Sequence, residues 1–112
     1  MRATYKSTVG PPLTITFVGD LDLASEDVFR EVAAEFDASP GADLVLDIGG
    51  VPFIDSSCLA AFITLMRSAQ SRGGKFSIVN PTPRALKALT ITGLDQMFTI
   101  VNQAGPVVLP VE

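Results

Sequence analysis

The order of apolar and polar positions divides the chain into alternating strand and helix signals. Leu13–Val18 (LTITFV) is β-branched and apolar and ends at Gly19, which predicts a strand. Ahead of it ATYKSTV alternates weakly, and Gly10-Pro11-Pro12 separates the two runs. A short edge strand is therefore expected beside a longer inner one. A helix follows. Ser25 is its expected N-cap, Glu26 and Asp27 sit in the first turn, and Val28, Phe29, Val32, Ala33 and Phe36 form one apolar stripe. Ser39-Pro40-Gly41 ends it. Leu44–Ile48 (LVLDI) is apolar at nearly every position, the pattern of a parallel strand covered on both faces.

Gly49 to Ile54 forms a tight segment leading to Asp55, and a second helix is expected from about Ser57 to Arg72. Its inner face carries Leu59, Phe62, Ile63, Met66 and Ala69, and Gly73-Gly74 stops it. Phe76–Val79 reads as a short buried strand. Thr82 caps a third helix with Pro83 at its first position, Leu86 and Leu89 inward, and Gly93 as the C-terminal stop. Phe98–Val101 is the last expected strand, and the tail AGPVVLPVE has no helical signal. Strands alternating with helices give an α/β domain whose crossovers should be right-handed. Internal repeats, linkers and low-complexity segments are absent.

Composition then narrows the function. The chain has 112 residues, 47% hydrophobic and 18% charged, enough for one compact domain and too apolar for a disordered chain. No run approaches the roughly 18 apolar residues of a membrane span, and MRATYKSTVG lacks the hydrophobic core of a signal peptide. The lone Cys58 cannot staple the fold, so a reducing compartment, the cytoplasm, is expected. The net charge of −4, with basic residues scattered from Arg2 to Lys87, argues against nucleic acid as a partner. Histidine is absent, which excludes Ser-His and Cys-His nucleophile pairs and any His-containing zinc site. Nor is there a phosphate-cradling GxxxxGK loop. No cofactor, no metal and no catalytic residue are expected. Nine of the twelve acids lie between Asp20 and Asp47, opposed only by Arg30, and read either as a solvated helix face or as a docking surface.

Three segments are candidates for function: Gly19-Asp20-Leu21-Asp22-Leu23-Ala24, Asp55-Ser56-Ser57-Cys58-Leu59 and Asn80-Pro81-Thr82-Pro83. In open α/β sheets, binding loops gather beyond the strand ends, so all three can meet on one rim. Asp55-Ser56-Ser57 reads in two ways. It is a good helix start, worth about 1 kcal/mol, or a contact or modification site. The cap accounts for one or two of the three polar residues. It leaves unexplained a pair of hydroxyls delivered to the surface by the apolar run Val51–Ile54. Cys58 is either a small packed residue or a thiol activated by the helix N-terminus. A receiver-like reading has Asp20 and Asp22 available, but no lysine follows the Phe76–Val79 or Phe98–Val101 strand. A carboxylate hydrolase built on Asp47 and Asp55 lacks any stated substrate pocket.

From Leu13 to Val101 the chain resembles the STAS domain (sulfate transporter and anti-sigma factor antagonist), specifically the free-standing bacterial anti-sigma factor antagonists. The resemblance rests on Gly19-Asp20-Leu21-Asp22-Leu23-Ala24, Leu44-Val45-Leu46-Asp47-Ile48, Val51-Pro52-Phe53-Ile54-Asp55-Ser56-Ser57, Gly73-Gly74-Lys75, Asn80-Pro81-Thr82-Pro83 and Thr92-Gly93-Leu94-Asp95. It implies one STAS-like α/β domain over residues 1–112, with a mostly parallel central sheet, an antiparallel edge strand and about three helices.

The resemblance also implies a partner-switching cycle. The unphosphorylated protein binds an anti-sigma factor that is also a serine kinase and so frees a sigma factor. Phosphorylation of a serine dissolves the pair, and a metal-dependent serine phosphatase reverses it. Carried onto this chain, Ser57 is the acceptor, with Ser56 the next choice. Asp20, Leu21, Asp22, Asp55, Ser56, Ser57 and Cys58 form the partner contact. Free N–H groups at the helix start are expected to accommodate the phosphate. The alternative is a STAS scaffold subunit of a signalling assembly that docks without being phosphorylated. Two departures stand out. Cys58 occupies a position where the family usually has glycine, so it is expected to hinder kinase docking or change which kinase fits. The tail, with Pro106 and Pro110, does not read as the family's usual fourth helix.

Overall fold

A computed structural model describes residues 3–10 and 12–101. Along the chain run β1 (Thr4–Thr8), β2 (Leu13–Val18), a 3-10 turn (Leu23–Ser25), α1 (Glu26–Ala38), β3 (Leu44–Gly50), α2 (Ser56–Ser71), β4 (Phe76–Val79), α3 (Pro83–Ile91), a second 3-10 turn (Leu94–Gln96) and β5 (Thr99–Val101). The tail AGPVVLPVE lies outside the described residues.

The five strands lie in sequence order, β1-β2-β3-β4-β5. β1 pairs antiparallel with β2, with Thr4 opposite Val18 and Thr8 opposite Thr14. Every later pair is parallel. The expected edge strand and mostly parallel sheet are both present. The Tyr5 hydroxyl donates to Glu35 at 2.5 Å and so ties the edge strand to α1.

Three crossovers step the same way across the sheet, and α1, α2 and α3 share one core with the same face of its strands, as crossovers of one hand require. Burial follows that geometry. Leu13, Ile15, Phe17, Leu44, Leu46, Ile48, Phe76 and Ile78 join Phe29, Val32, Phe36, Phe62, Ala69, Ala85 and Leu89 in one core. Between them Thr14, Thr16, Val45, Asp47 and Ser77 are only half-buried. β3 was expected to be covered on both faces. Instead it alternates, because none of the described helices lies over its second face.

Helix ends depart from expectation in instructive places. Ser25 makes no side-chain cap to α1 and is buried. The capping falls to Asp22, which forms a capping box with Ser25 around the 3-10 turn and so lets the chain enter α1 at a bend. α2 begins one residue early, at Ser56, because Asp55 is its N-cap. In α3 the caps are as expected: Thr82 accepts from the Ala85 N–H, Pro83 opens the helix, and Gly93 takes a left-handed φ of 78°. Leu86, expected inward, is 40% exposed, and Ala85 and Leu89 hold the buried face. In a helix this short the inward stripe is one row wide, and Leu86 falls outside it.

Candidate functional site

The β2–α1 loop and the start of α2 are joined by backbone before any side chain is considered. Leu21 pairs with Ile54 in a parallel bridge. Its N–H donates to Phe53 O at 2.9 Å, and Asp55 N–H donates back to Leu21 O at 3.0 Å. Cys58 adds an Sγ contact to Asp22 O at 3.4 Å. The third segment arrives from below. Asn80 takes a left-handed φ of 58°, which asparagine tolerates best after glycine. The Thr82 hydroxyl then donates to Val51 O at 3.1 Å. The three segments do meet on one rim, at the C-terminal ends of the parallel strands.

On that rim Asp55 gathers the start of α2 onto one oxygen. Its Oδ1 accepts from Ser57 N–H at 3.0 Å, from Cys58 N–H at 3.2 Å and from the Ser57 hydroxyl at 2.6 Å. The Ser57 hydroxyl bond, chiefly, holds the Asp55 carboxyl below its ordinary range; partial burial opposes this, and the backbone donors add to the lowering. Ser56 and Ser57 are both exposed, and Asp20 and Asp22 are half-buried beside them. Two of the amides expected to be free for an anion at this helix start, those of Ser57 and Cys58, are already occupied by Asp55.

Two of the expected contact residues do not reach the surface. Leu21 is fully buried, and its role is the backbone bridge. Cys58 is 2% exposed and turned toward Asp22. Burial, and then the Asp55 charge, push its thiol up to about 12, against the activated reading. The thiol thus points inward and not toward the exposed face of the rim.

A shallow cleft of about 270 Å³ opens between α1 and α2, lined by Asp22, Leu23, Glu26, Phe29, Ser57, Cys58 and Ala61. Leu23 is 75% exposed at its edge. In the sequence Leu23 stands only as part of a loop motif, and Ala61 carries no signal. A single apolar residue inside an acidic run is a weak signal, and it acquires meaning only when two helices converge. Among the described residues no cluster of three or more acids or thiols could hold a metal ion. None of the described helices is long and apolar enough to cross a membrane.

Residues 3–105 match the family described as the STAS domain. The chain belongs to the STAS domain family. The anti-sigma-B factor antagonist of Bacillus subtilis is similar at 28% identity over 88 residues, 79% of this chain and 80% of that one. Two solved structures share the fold. One is an anti-sigma factor antagonist from Mycobacterium paratuberculosis, with a TM-score of 0.78 at 22% identity over 89% of this chain and 86% of that one. The other is the Bacillus cell fate determinant SpoIIAA in its phosphorylated form, with a TM-score of 0.68 at 18% identity over 91% and 93% of the two chains. In this STAS domain the rim therefore combines an acidic loop, an exposed serine pair and an apolar cleft within one backbone-bridged unit.

Proposed function

We propose that this STAS domain is an anti-sigma factor antagonist, a cytoplasmic binding module and not an enzyme. Its partner is an anti-sigma factor that is also a serine kinase, and their association releases a sigma factor. Asp20, Asp22, Asp55, Ser56 and Ser57 make the contact, with Leu21 and Cys58 holding the two loops in register from behind. Phosphorylation of Ser57 ends the association, and a metal-dependent serine phosphatase restores it.

The observation that carries the reading is an exposed serine at the first turn of α2, bonded to Asp55, in a chain related to an anti-sigma-B factor antagonist. The physics supports a switch at that place. A phosphoserine adds about −1.5 to −2 charge, and Asp55, Asp22 and Glu26 already make the rim negative. Burying the new charge against them at about 3–4 kcal/mol would weaken a complex some 100- to 1,000-fold.

The test is incubation with ATP and the cognate kinase, followed by mass spectrometry and a binding titration. Ser57→Ala should bind and resist phosphorylation. Ser57→Glu should keep the fold by circular dichroism and lose the partner. Stoichiometric phosphorylation of Ser57→Ala would move the acceptor to Ser56 or elsewhere. Binding by wild type with no phosphorylation at all would favour an unmodified scaffold subunit instead.

A further inference from the structure

The geometry points to Asp55 as a positioning residue that denies the α2 N-terminus to a phosphate on Ser57 and turns that phosphate out over the cleft between α1 and α2. This rests on the reading that Ser57 is the modified residue. A helix N-terminus ordinarily draws in a phosphate through its unpaired amides and its partial positive charge. Here two of those amides, Ser57 and Cys58, are taken by one residue. Ser57 and Cys58 donate to the Asp55 carboxylate, and Cys58 and Leu59 donate to its carbonyl.

Phosphorylation removes the hydroxyl proton that Ser57 gives to Asp55 Oδ1 at 2.6 Å and puts anionic oxygens against the same carboxylate. One of the two groups must turn away. Moving Asp55 would break two amide hydrogen bonds and uncap α2. Turning the exposed Ser57 about its own side-chain bond breaks none beyond the one already lost.

The space open to the turned phosphate is the cleft that Ser57 lines. Its charged groups are Asp22 from the β2–α1 loop and Glu26 from α1, with Leu23, Phe29 and Ala61 as apolar walls. Arg30, one turn along α1, is drawn toward Glu26 at 3.7 Å and Asp27 at 2.9 Å. The first turn of α2, Ser56 to Leu59, contains no base. A phosphate held there meets acids and apolar surface, and it covers the cleft a partner would enter.

Phosphoserine built into position 57 during synthesis tests this without any kinase, using ³¹P and ¹H–¹⁵N spectra across a pH titration. With Asp55 present, the second phosphate ionisation should rise by roughly half a unit or more above the about 6 of a free phosphoserine. The Ser57 and Cys58 amides should hold the positions they have in the unmodified protein. Asp55→Asn keeps a capping side chain without the charge. There the ionisation should fall back by a similar amount, and both amides should move downfield as the phosphate ionises and, no longer repelled, displaces the weaker neutral side-chain oxygen as their acceptor. Asp55→Ser serves the same purpose if the asparagine variant folds poorly. Downfield movement of both amides in the Asp55 protein, or one ionisation value shared by all variants, would overturn the inference. Failure of any kinase to modify Ser57 would defeat the proposed function and leave these spectra unchanged.

Discussion

Asp55 bears the start of α2 on a single oxygen, so its replacements should separate capping from charge. Asp55→Ala is expected to lose about 1 kcal/mol in urea unfolding, and Asp55→Asn much less, since asparagine caps nearly as well. Acid adds a second test. The Ser57 hydroxyl lowers the folded carboxyl below the unfolded value of about 3.9, so the charge stabilises the fold above that value. That stability is lost as the pH falls through the folded value. Wild type should therefore lose more stability than Asp55→Asn between pH 7 and pH 2. Equal losses would show that the hydrogen bonds do not depend on charge. At Cys58, burial predicts that a thiol reagent at pH 8 labels only unfolded protein. Labelling of the native protein at the rate of a free thiol would contradict the packed position. The sequence places a helix start within Asp55-Ser56-Ser57 without singling out Asp55 as the cap. Ser25 holds the N-cap position of α1 as expected, yet its side chain does not cap that helix, although Ser, Asp and Asn all cap well. Which of two nearby candidates does so depends on where the 3-10 turn bends, and that is a matter of Asp22 finding its N–H partner.

The ends of α2 show the same division one level up. The Arg72 guanidinium donates to the carbonyls of Phe36, Ser39 and Gly41 and lies 4.3 Å over the Phe36 ring. Together with Ser39, whose amide and hydroxyl also donate to Phe36 O, it closes the end of α1 and the loop that follows. Arg72→Lys cannot span three acceptors with a compact ammonium, and a loss of about 2 kcal/mol is expected in urea unfolding. A loss near zero would mean water replaces those bonds. Gly73 and Gly74 read alike in the sequence as a helix stop, yet they serve different ends. Gly73 takes a left-handed φ of 76° with open space around it. A Cβ on Gly74 would stand 1.9 Å from Ala42 O, a backbone atom that cannot step aside alone. Gly73→Ala should cost about 1–2 kcal/mol, the usual penalty of that conformation, and Gly74→Ala clearly more. Equal thermal shifts for the two would refute the close approach. The stop was legible because both glycines interrupt an apolar period. The approach of Ala42, some thirty residues upstream, leaves no mark in the local pattern.

Across the whole molecule, the acidic run between Asp20 and Asp47 breaks into groups with different surroundings. Asp22 and Glu26 line the cleft, and Asp27 meets Arg30. Further on, Glu35 accepts from Tyr5, Asp43 accepts from the Lys75 amide, and Asp47 accepts from the Gly49 amide. If the rim receives a basic partner, reversing Asp22 or Glu26 should slow association several-fold and flatten its dependence on salt between about 50 and 500 mM. Reversing Asp37, far along α1, should leave the rate within about twofold, since it lies beyond a Debye length of about 8–10 Å from the cleft. Equal effects at both places would point to net charge and not to a local surface. The chain by itself determined the element order, the cap at Thr82, and the motifs at the strand ends, because periodicity and turn chemistry act over a few residues. Only the tertiary structure decided which face of β3 is covered, that Leu21 and Cys58 turn inward, and that Leu23 and Ala61 share a cleft with Ser57. Those outcomes depend on crossovers that all step one way across the sheet and on a backbone bridge between Leu21 and Ile54. Both join residues too distant in the chain for any local pattern to record their meeting.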